Sequence, residues 1–346
     1  MKRYLALGLT VSMLFLAACG SPVSPEPGND APSDGSATPE TANSETVNAE
    51  TVNLVVVSAG PGGTMYYMGT GQAKIISEKL PGYSMTNEST SGTPIENGTF
   101  VSERNDSFGT TNLDGAFAAY NGIKEKGFAE PLDNLRLIQV GHLQYLYMVT
   151  LKGTGIESIA DIKGKSVALP SAGNTTYYQA LAILEAYGLT EKDYRGTPMT
   201  FTEGADALKD GTVQVCMVAG SVPQAAVTDL DTSKDIRILS VDQDKMDIIL
   251  KNNPSWSATV IPGGTYSGQQ EDVLASTINC CLLGNADMDE EMVYQITKTL
   301  NENVDMMSEI HVNGYEWSPE TTKPYYENPP IPFHDGAKRY YDEIFK

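Results

Sequence analysis

The chain is poor in the residues from which reactive sites are commonly built. It has three histidines and four cysteines in 346 residues. His142, His311 and His334 are scattered without ligand spacing, which excludes a histidine-built metal site. There is no G-x-S-x-G elbow and no H-E-x-x-H. Gly164-Lys165-Ser166 resembles the end of a phosphate loop, but Ile159 stands where the leading glycine belongs, and the triplet precedes its strand instead of following one. Beyond Cys19, the cysteines are Cys216, Cys280 and Cys281, none in a C-x-x-C. Neighbours on a strand point to opposite faces, so Cys280 and Cys281 are poorly placed to bridge, and the three read as small buried apolar groups. After the N-terminus no apolar run is long enough to span a bilayer. Without a catalytic constellation the chain reads as a non-enzyme, with no cofactor and no metal.

Positive charge is also scarce. Lys and Arg number 23 against 44 Asp and Glu, a formal charge of −21, which excludes nucleic acid as a partner. An acidic body repels anions at long range, so any anionic ligand must be caught by local dipoles.

The first residues have their own pattern: Lys2 and Arg3, an apolar run from Tyr4 to Ala18, then Cys19 after Leu16-Ala17-Ala18. A basic start, a short apolar stretch and small residues before the cut make a secretory signal over 1–18. The cysteine resembles the lipobox of bacterial lipoproteins, which implies lipidation at Cys19 and a membrane association through that lipid only. Residues 19–52 are rich in Pro, Ser, Thr and Asn, carry six acids from Glu26 to Glu50, and lack Lys and Arg. Such a segment buries too little apolar area to offset chain entropy and is expected to be a disordered tether.

The folded part opens with a strand, Asn53–Ser58, a glycine turn at Ala59-Gly60-Pro61-Gly62-Gly63, and a helix with Thr64 as N-cap and Met65, Met68, Gln72, Ile76 and Leu80 on one face. A helix N-terminus after a glycine turn presents free N–H groups and the positive end of a dipole, a ready anion site. The unit recurs. Ser166–Leu169 runs through Pro170–Gly173 into a helix over Asn174–Tyr187, and Val213–Val218 runs through Ala219-Gly220-Ser221 into a helix over Val222–Thr228. Between these lie strands at Gly82–Ser89, Ser107–Thr111, Leu135–Val140 and Leu143–Leu151, and short helices at Ile95–Ser102 and Asp114–Gly122. Later come Ile236–Leu239, a helix over Asp242–Lys251, a loop over Val260–Gly268, a strand over Val273–Leu283, a helix over Asp289–Val304 and a short C-terminal helix. Strands alternating with helices predict an α/β chain with a mostly parallel sheet and ligands beyond the strands' carboxyl ends.

The motif order after the tether resembles the TAXI family of solute receptors for TRAP-type secondary transporters. The resemblance rests on Gly62-Gly63-Thr64-Met65-Tyr66-Tyr67, on Ser89–Asn97 (STSGTPIEN, similar to T-G-G-S-x-E-N), and on Ala118–Gly122. It continues through Ile159–Lys165 (similar to S-L-A-D-L-K-G-K), Gly173-Asn174-Thr175, Ile261–Tyr266 and His334–Tyr341. Two stretches depart from the family: Gly98–Phe108 is more polar than its leucine-rich segment, and Thr110-Thr111-Asn112 stands where Gln-x-Asp is usual. Both bear on which solute is held.

The resemblance implies a two-lobe, type II periplasmic-binding-protein-like fold with hinge strands and an inter-lobe cleft. Lobe 1 is expected over 53–143 plus 272–346 and lobe 2 over 144–271, with crossings near Leu143–Leu151 and Val273–Leu283. It implies a monomeric, extracytoplasmic, lipid-anchored receptor that captures a small carboxylate, a glutamate-like amino acid or an organic acid, and delivers it to a TRAP-type permease. A ligand-sensing surface lipoprotein or an enzyme on the same fold is the alternative. The expected ligand-binding residues are Gly63, Thr64, Tyr66, Tyr67, Ser91, Gly92, Thr93, Thr111, Asn112, Tyr145, Gly173, Asn174, Thr175, Gly220 and Ser221.

Overall fold

A computed structural model describes residues 51–346 except Gly62 and Pro254. The expected signal peptide, lipidated Cys19 and nearly all of the tether lie outside the described residues.

The strands are β1 (Val52–Val57), β2 (Tyr83–Glu88), β3 (Ser107–Asn112), β4 (Leu135–Leu151), β5 (Ser166–Pro170), β6 (Arg195–Met199), β7 (Val215–Gly220), β8 (Ile236–Leu239), β9 (Ser257–Ile261) and β10 (Val273–Asn285). The helices are α1 (Thr64–Lys79), α2 (Pro94–Ser102), α3 (Leu113–Asn121), α4 (Thr175–Ala186), α5 (Phe201–Lys209), α6 (Ala225–Asp231), α7 (Gln243–Asn252), α8 (Glu290–Glu302), α9 (Val304–Ile310), α10 (Pro319–Thr322) and α11 (Asp335–Phe345).

The sheet runs β2-β1-β3-β10-β4-β7-β5-β6, with β8 beside β4 and β9 beside β10. It is not mostly parallel. Two parallel blocks, β2-β1-β3 and β7-β5-β6, are joined through β10 and β4, which run antiparallel to each other and to their neighbours in both blocks. The joining strands are long: β4 has 17 residues, about 55 Å at ~3.3 Å per residue. Each changes partners along its length. Residues 280–283 of β10 pair with β3 and residues 273–277 with β9; residues 145–150 of β4 pair with β7. Two lobes connected by crossing strands follow from that exchange of partners.

Gly141-His142 reads in the sequence as a break between two strands, yet β4 passes through both. The reason is packing. A Cβ on Gly141 would lie 2.2–2.7 Å from the Trp317 indole, so this glycine is the notch into which a buried tryptophan fits, not a turn.

Each lobe has its own core. In the first, Leu54, Val56, Phe108, Leu137, Val140 and Leu283 pack with Met68 and Ile76 of α1, Ile296 of α8, and Trp317 and Tyr341. The chain after β10 returns to this lobe, where Leu137 N–H donates to Pro332 O and His334 N–H to Leu137 O. In the second lobe the alternation of β4 sorts its side chains. Leu146 and Met148 join one cluster, with Ile183, Val215 and Met217, while Tyr147 and Val149 join another, with Cys216, Val218 and Ile261. Cys216, Cys280 and Cys281 are buried, unpaired thiols.

Other boundaries moved for identifiable reasons. Strand β6, RGTPM, is exposed at the sheet edge and carries no apolar alternation for a sequence reading to find. Strand β9 occupies the start of the expected 260–268 loop. The helix after β7 starts at Ala225 instead of Val222, so Gly220-Ser221 does not open it.

Candidate functional site

The cleft lies where the carboxyl ends of β1, β3, β5 and β7 face one another across the crossing strands. From lobe 1 it receives the N-termini of α1, α2 and α3, and from lobe 2 the N-terminus of α4 and the residues after β7. Among the described residues, two side-chain hydrogen bonds span it. Thr64 Oγ1 and Ser221 Oγ are 3.2 Å apart, and Ser255 Oγ donates to Asp114 Oδ1 at 2.9 Å. Part of the cleft is a narrow crevice bordered by Pro94, Ile95, Gly115, Ala118, Lys126 and Phe128 on one side and by Gly173, Thr175 and Tyr178 on the other.

The helix ends at this cleft are not equivalent. Thr93 caps α2, accepting from Glu96 N–H at 3.2 Å, and Asn112 caps α3, accepting from Gly115 N–H at 2.9 Å. At α1 the N-cap is Gly63, and Thr64, expected as the cap, is the first helical residue; no side chain caps this end. Asn174 is the N-cap of α4, again without a side-chain cap. Tyr66 and Tyr67 N–H donate to Gly63 O, and Tyr177 N–H to Asn174 O. The N–H groups of Thr64 and Met65, and of Thr175 and Thr176, are therefore those left over at the two ends. Gly173 makes the approach to α4 at φ +87, a left-handed conformation that favours glycine.

The remaining expected site residues divide into engaged and available groups. Ser91 N–H and Oγ both donate to the Glu96 carboxylate, and Ser91 Oγ lies 3.2 Å from Thr93 Oγ1, so this loop spends its donors on its own acid. Gly92 N–H donates to Thr90 Oγ1 at 3.0 Å. Asn112 Nδ2 reaches Gln144 Oε1 on β4 at 3.3 Å. Thr111 is buried on β3 with no hydrogen-bond partner for its hydroxyl among the described residues. Tyr145 sits half-buried on β4, opposite both Thr277 and Gly220. Burial, and then the charge of Glu316, push its phenol above the usual range. Tyr66 is half-buried, while Tyr67 is exposed and stacked on His311 at 5.7 Å. The third expected helix end supplies nothing: α6 is a seven-residue helix, and Gln224 Oε1 caps it by accepting from Ala226 and Val227 N–H.

Sequence reasoning missed the polar cluster on the cleft wall. Lys126 donates to Asp114 Oδ2 at 2.5 Å, and Ser255 holds the other oxygen of the same carboxylate. Nothing in the spacing of Lys124-Glu125-Lys126 signals that one lysine turns inward. Asn97, read as part of a motif, proves to be a buried pin. Its Nδ2 donates to Ser58 O and Thr110 O, tying the ends of β1 and β3 together.

Among solved structures the chain is similar to MatC from Rhodopseudomonas palustris with bound malate, at 14% identity over 85% of this chain and 97% of that one, TM-score 0.54. It is similar to the periplasmic binding protein BugD, at 13% identity over 85% and 96%, TM-score 0.52. A TctC solute-binding protein from Polaromonas matches at 13% identity over 77% and 88%, TM-score 0.50. These likenesses are of fold, and the fold is that of the two-lobe periplasmic binding proteins. The profile of the NMT1-like family matches residues 56–344, almost the whole of the described chain, and the protein is therefore a member of the NMT1-like family.

Proposed function

We propose that the protein is an extracytoplasmic solute receptor of the TAXI subgroup, which captures a small carboxylate between its lobes and delivers it to a TRAP-type permease. In this reading Cys19 carries the lipid anchor, the receptor is a monomer, lobe 1 is 53–143 plus 272–346, and lobe 2 is 144–271. The observation that carries the proposal is the contrast among helix ends at the cleft. The ends of α2 and α3 are capped by their own side chains, whereas the long helices α1 and α4 face the cleft with first-turn N–H groups and no side-chain cap. Uncapped N-termini favour an anion. On so acidic a body, donors of this kind are the natural means to hold a carboxylate without a bidentate arginine. That MatC, of the same fold, holds malate agrees with this reading by analogy of fold alone.

The test is a thermal-unfolding screen of the purified full chain against amino acids, carboxylic acids, sugars and polyamines. A ligand at about a hundred times its Kd adds roughly 2.7 kcal/mol to stability, which corresponds to ~5 °C or more in Tm. A small carboxylate is the expected hit, and Thr64→Ala or Thr175→Ala is expected to weaken it with the fold intact. A shift with sugars or cations alone contradicts the proposal.

A further inference from the structure

We infer that the lobes turn about a single cross-strand pair, Gln144 on β4 and Ile278 on β10, and that Glu316 and Tyr325 are the positioning residues that fix the first lobe's side of this pivot. The pivot depends on the two-lobe fold and not on which solute is held, so the carboxylate reading above is decided separately.

The two crossing strands carry matched ties on either side of that pair. On one side Leu143 lies opposite Asn279. Leu143 N–H donates to Glu316 Oε2 at 3.0 Å, and Tyr325 OH donates to Asn279 Oδ1 at 2.8 Å. Glu316 adjoins Trp317, a member of the first lobe's core, and Tyr325 packs against that core. On the other side Tyr145 lies opposite Thr277. Tyr145 pairs with Gly220 of β7 and Thr277 with Ser257 of β9, and Thr277 Oγ1 is 2.8 Å from Ser257 Oγ and 3.1 Å from Thr259 Oγ1. Gln144 and Ile278 face each other between these tied pairs. Their side chains go to opposite lobes. Gln144 Oε1 accepts from Asn112 Nδ2 at the end of β3, whereas Ile278 packs in the second lobe with Leu146 and Ile183.

A hinge is a short stretch that absorbs backbone rotation because its neighbours on both sides are held. The N–H groups of Leu137, Val140 and Leu143 donate in turn to Pro332 O, Thr322 Oγ1 and Glu316 Oε2, so the chain after β10 covers β4 as a neighbouring strand would. From Tyr145 onward β7 takes over that part. Leu143 and Tyr145 are two residues apart, about 7 Å at ~3.3 Å per residue. A rotation of the lobes therefore falls on φ and ψ of Gln144 and of its partner Ile278. Glu316 is suited to hold Leu143 while the lobes move, because a carboxylate bond to N–H is charge-assisted. Its other oxygen accepts from Asn313 Nδ2 at 2.7 Å, which fixes the carboxylate to its own segment. The β4–β10 ladder shifts register between Asn279 and Cys281, directly beside the pivot, and such irregularities let a strand bend.

The experiment is amide hydrogen exchange resolved by residue with NMR, together with small-angle scattering, on the ligand-free full chain. The variants are Gln144→Gly, which loosens the pivot itself, and the double variant Glu316→Ala with Tyr325→Phe, which releases the first lobe's side of it. Tyr147→Phe is the control, since it removes a hydroxyl contact to Tyr266 wholly within the second lobe. Both test variants are expected to exchange the Gln144 and Ile278 amides about tenfold faster or more and to show a larger radius of gyration. Exchange at Val56 and Val215, in the two lobe cores, is expected to stay as in the parent. Where the double variant does not fold, Tyr325→Phe alone, which loses one hydroxyl, decides by the same two readouts. Unchanged exchange at both pivot amides with an unchanged radius overturns the pivot. Equal acceleration at Val56 and Val215 also overturns it, because Glu316 and Tyr325 then only stabilise the fold. An effect of the same size in Tyr147→Phe overturns it likewise.

Discussion

His142 lies where the two long strands cross, fully enclosed between Trp317 and Cys280. Trp317 Nε1–H donates to its Nδ1 at 3.0 Å, and an indole nitrogen can only donate, so the ring's own proton sits on Nε2, 3.5 Å from Cys280 Sγ. Burial, with a smaller contribution from the charge of His311, lowers its pKa to about 3. An unfolded chain would protonate this ring near pH ~6.5. The folded ring stays neutral down to about 3. As pH falls through that window the unfolded state takes up a proton that the folded state refuses, so stability declines by up to about 1.4 kcal/mol per pH unit. Above the window the ring is neutral in both states and contributes no pH dependence. His142→Gln should therefore flatten the dependence of urea-unfolding free energy on pH between 7 and 4.5. Buried carboxylates titrate alike in both proteins, so equal slopes would remove His142 as a cause.

At the scale of elements, the difference between capped and uncapped helices is measurable as stability. Thr93 caps α2, so Thr93→Ala should cost about 1 kcal/mol in a urea titration. Thr64 is the first residue of α1 and caps nothing, so Thr64→Ala should stay within about 0.5 kcal/mol. A cost at Thr64 equal to that at Thr93, and not reproduced by Ser221→Ala, which removes the same cross-cleft bond, would mean that α1 depends on this hydroxyl for its own folding. The same elements explain what the sequence discloses. The strand, glycine turn and helix at β1 and α1, and again at β5 and α4, are legible because apolar runs, turn residues and helical periodicity agree there. The third unit misleads because its glycine turn and its helix are separated by Val222-Pro223-Gln224, and Gln224 does the capping. Gly141 misleads in the opposite sense, since a glycine that accommodates a distant tryptophan has the same letter as one that turns the chain. Lys126 and Ser255 were illegible because their roles arise from contacts between segments far apart in sequence.

At the scale of the whole molecule, the two lobes communicate through the crossing strands and through the contacts that span the cleft. Thr64 with Ser221 and Asp114 with Ser255 are hydrogen bonds between lobes, each lost when the lobes separate. A ligand held from both sides favours the closed arrangement by as much as its contacts differ between the two forms. The cross-cleft bonds act on the same equilibrium before any ligand arrives. At ~0.5–1.5 kcal/mol each, the pair shifts the balance toward closure by roughly 1–3 kcal/mol. Where the binding-competent form is a minority, apparent affinity scales with its population. The double variant Ser221→Ala with Ser255→Ala should accordingly bind the best carboxylate of the thermal-unfolding screen between about fivefold and a hundredfold more weakly. Its Tm without ligand should change much less, because both hydroxyls lie at the cleft and outside the three apolar cores. Small-angle scattering should show a larger radius of gyration than the parent before ligand is added, converging with it at saturation. Equal affinity and equal radius in the two proteins would mean that these bonds merely accompany closure and do not hold it.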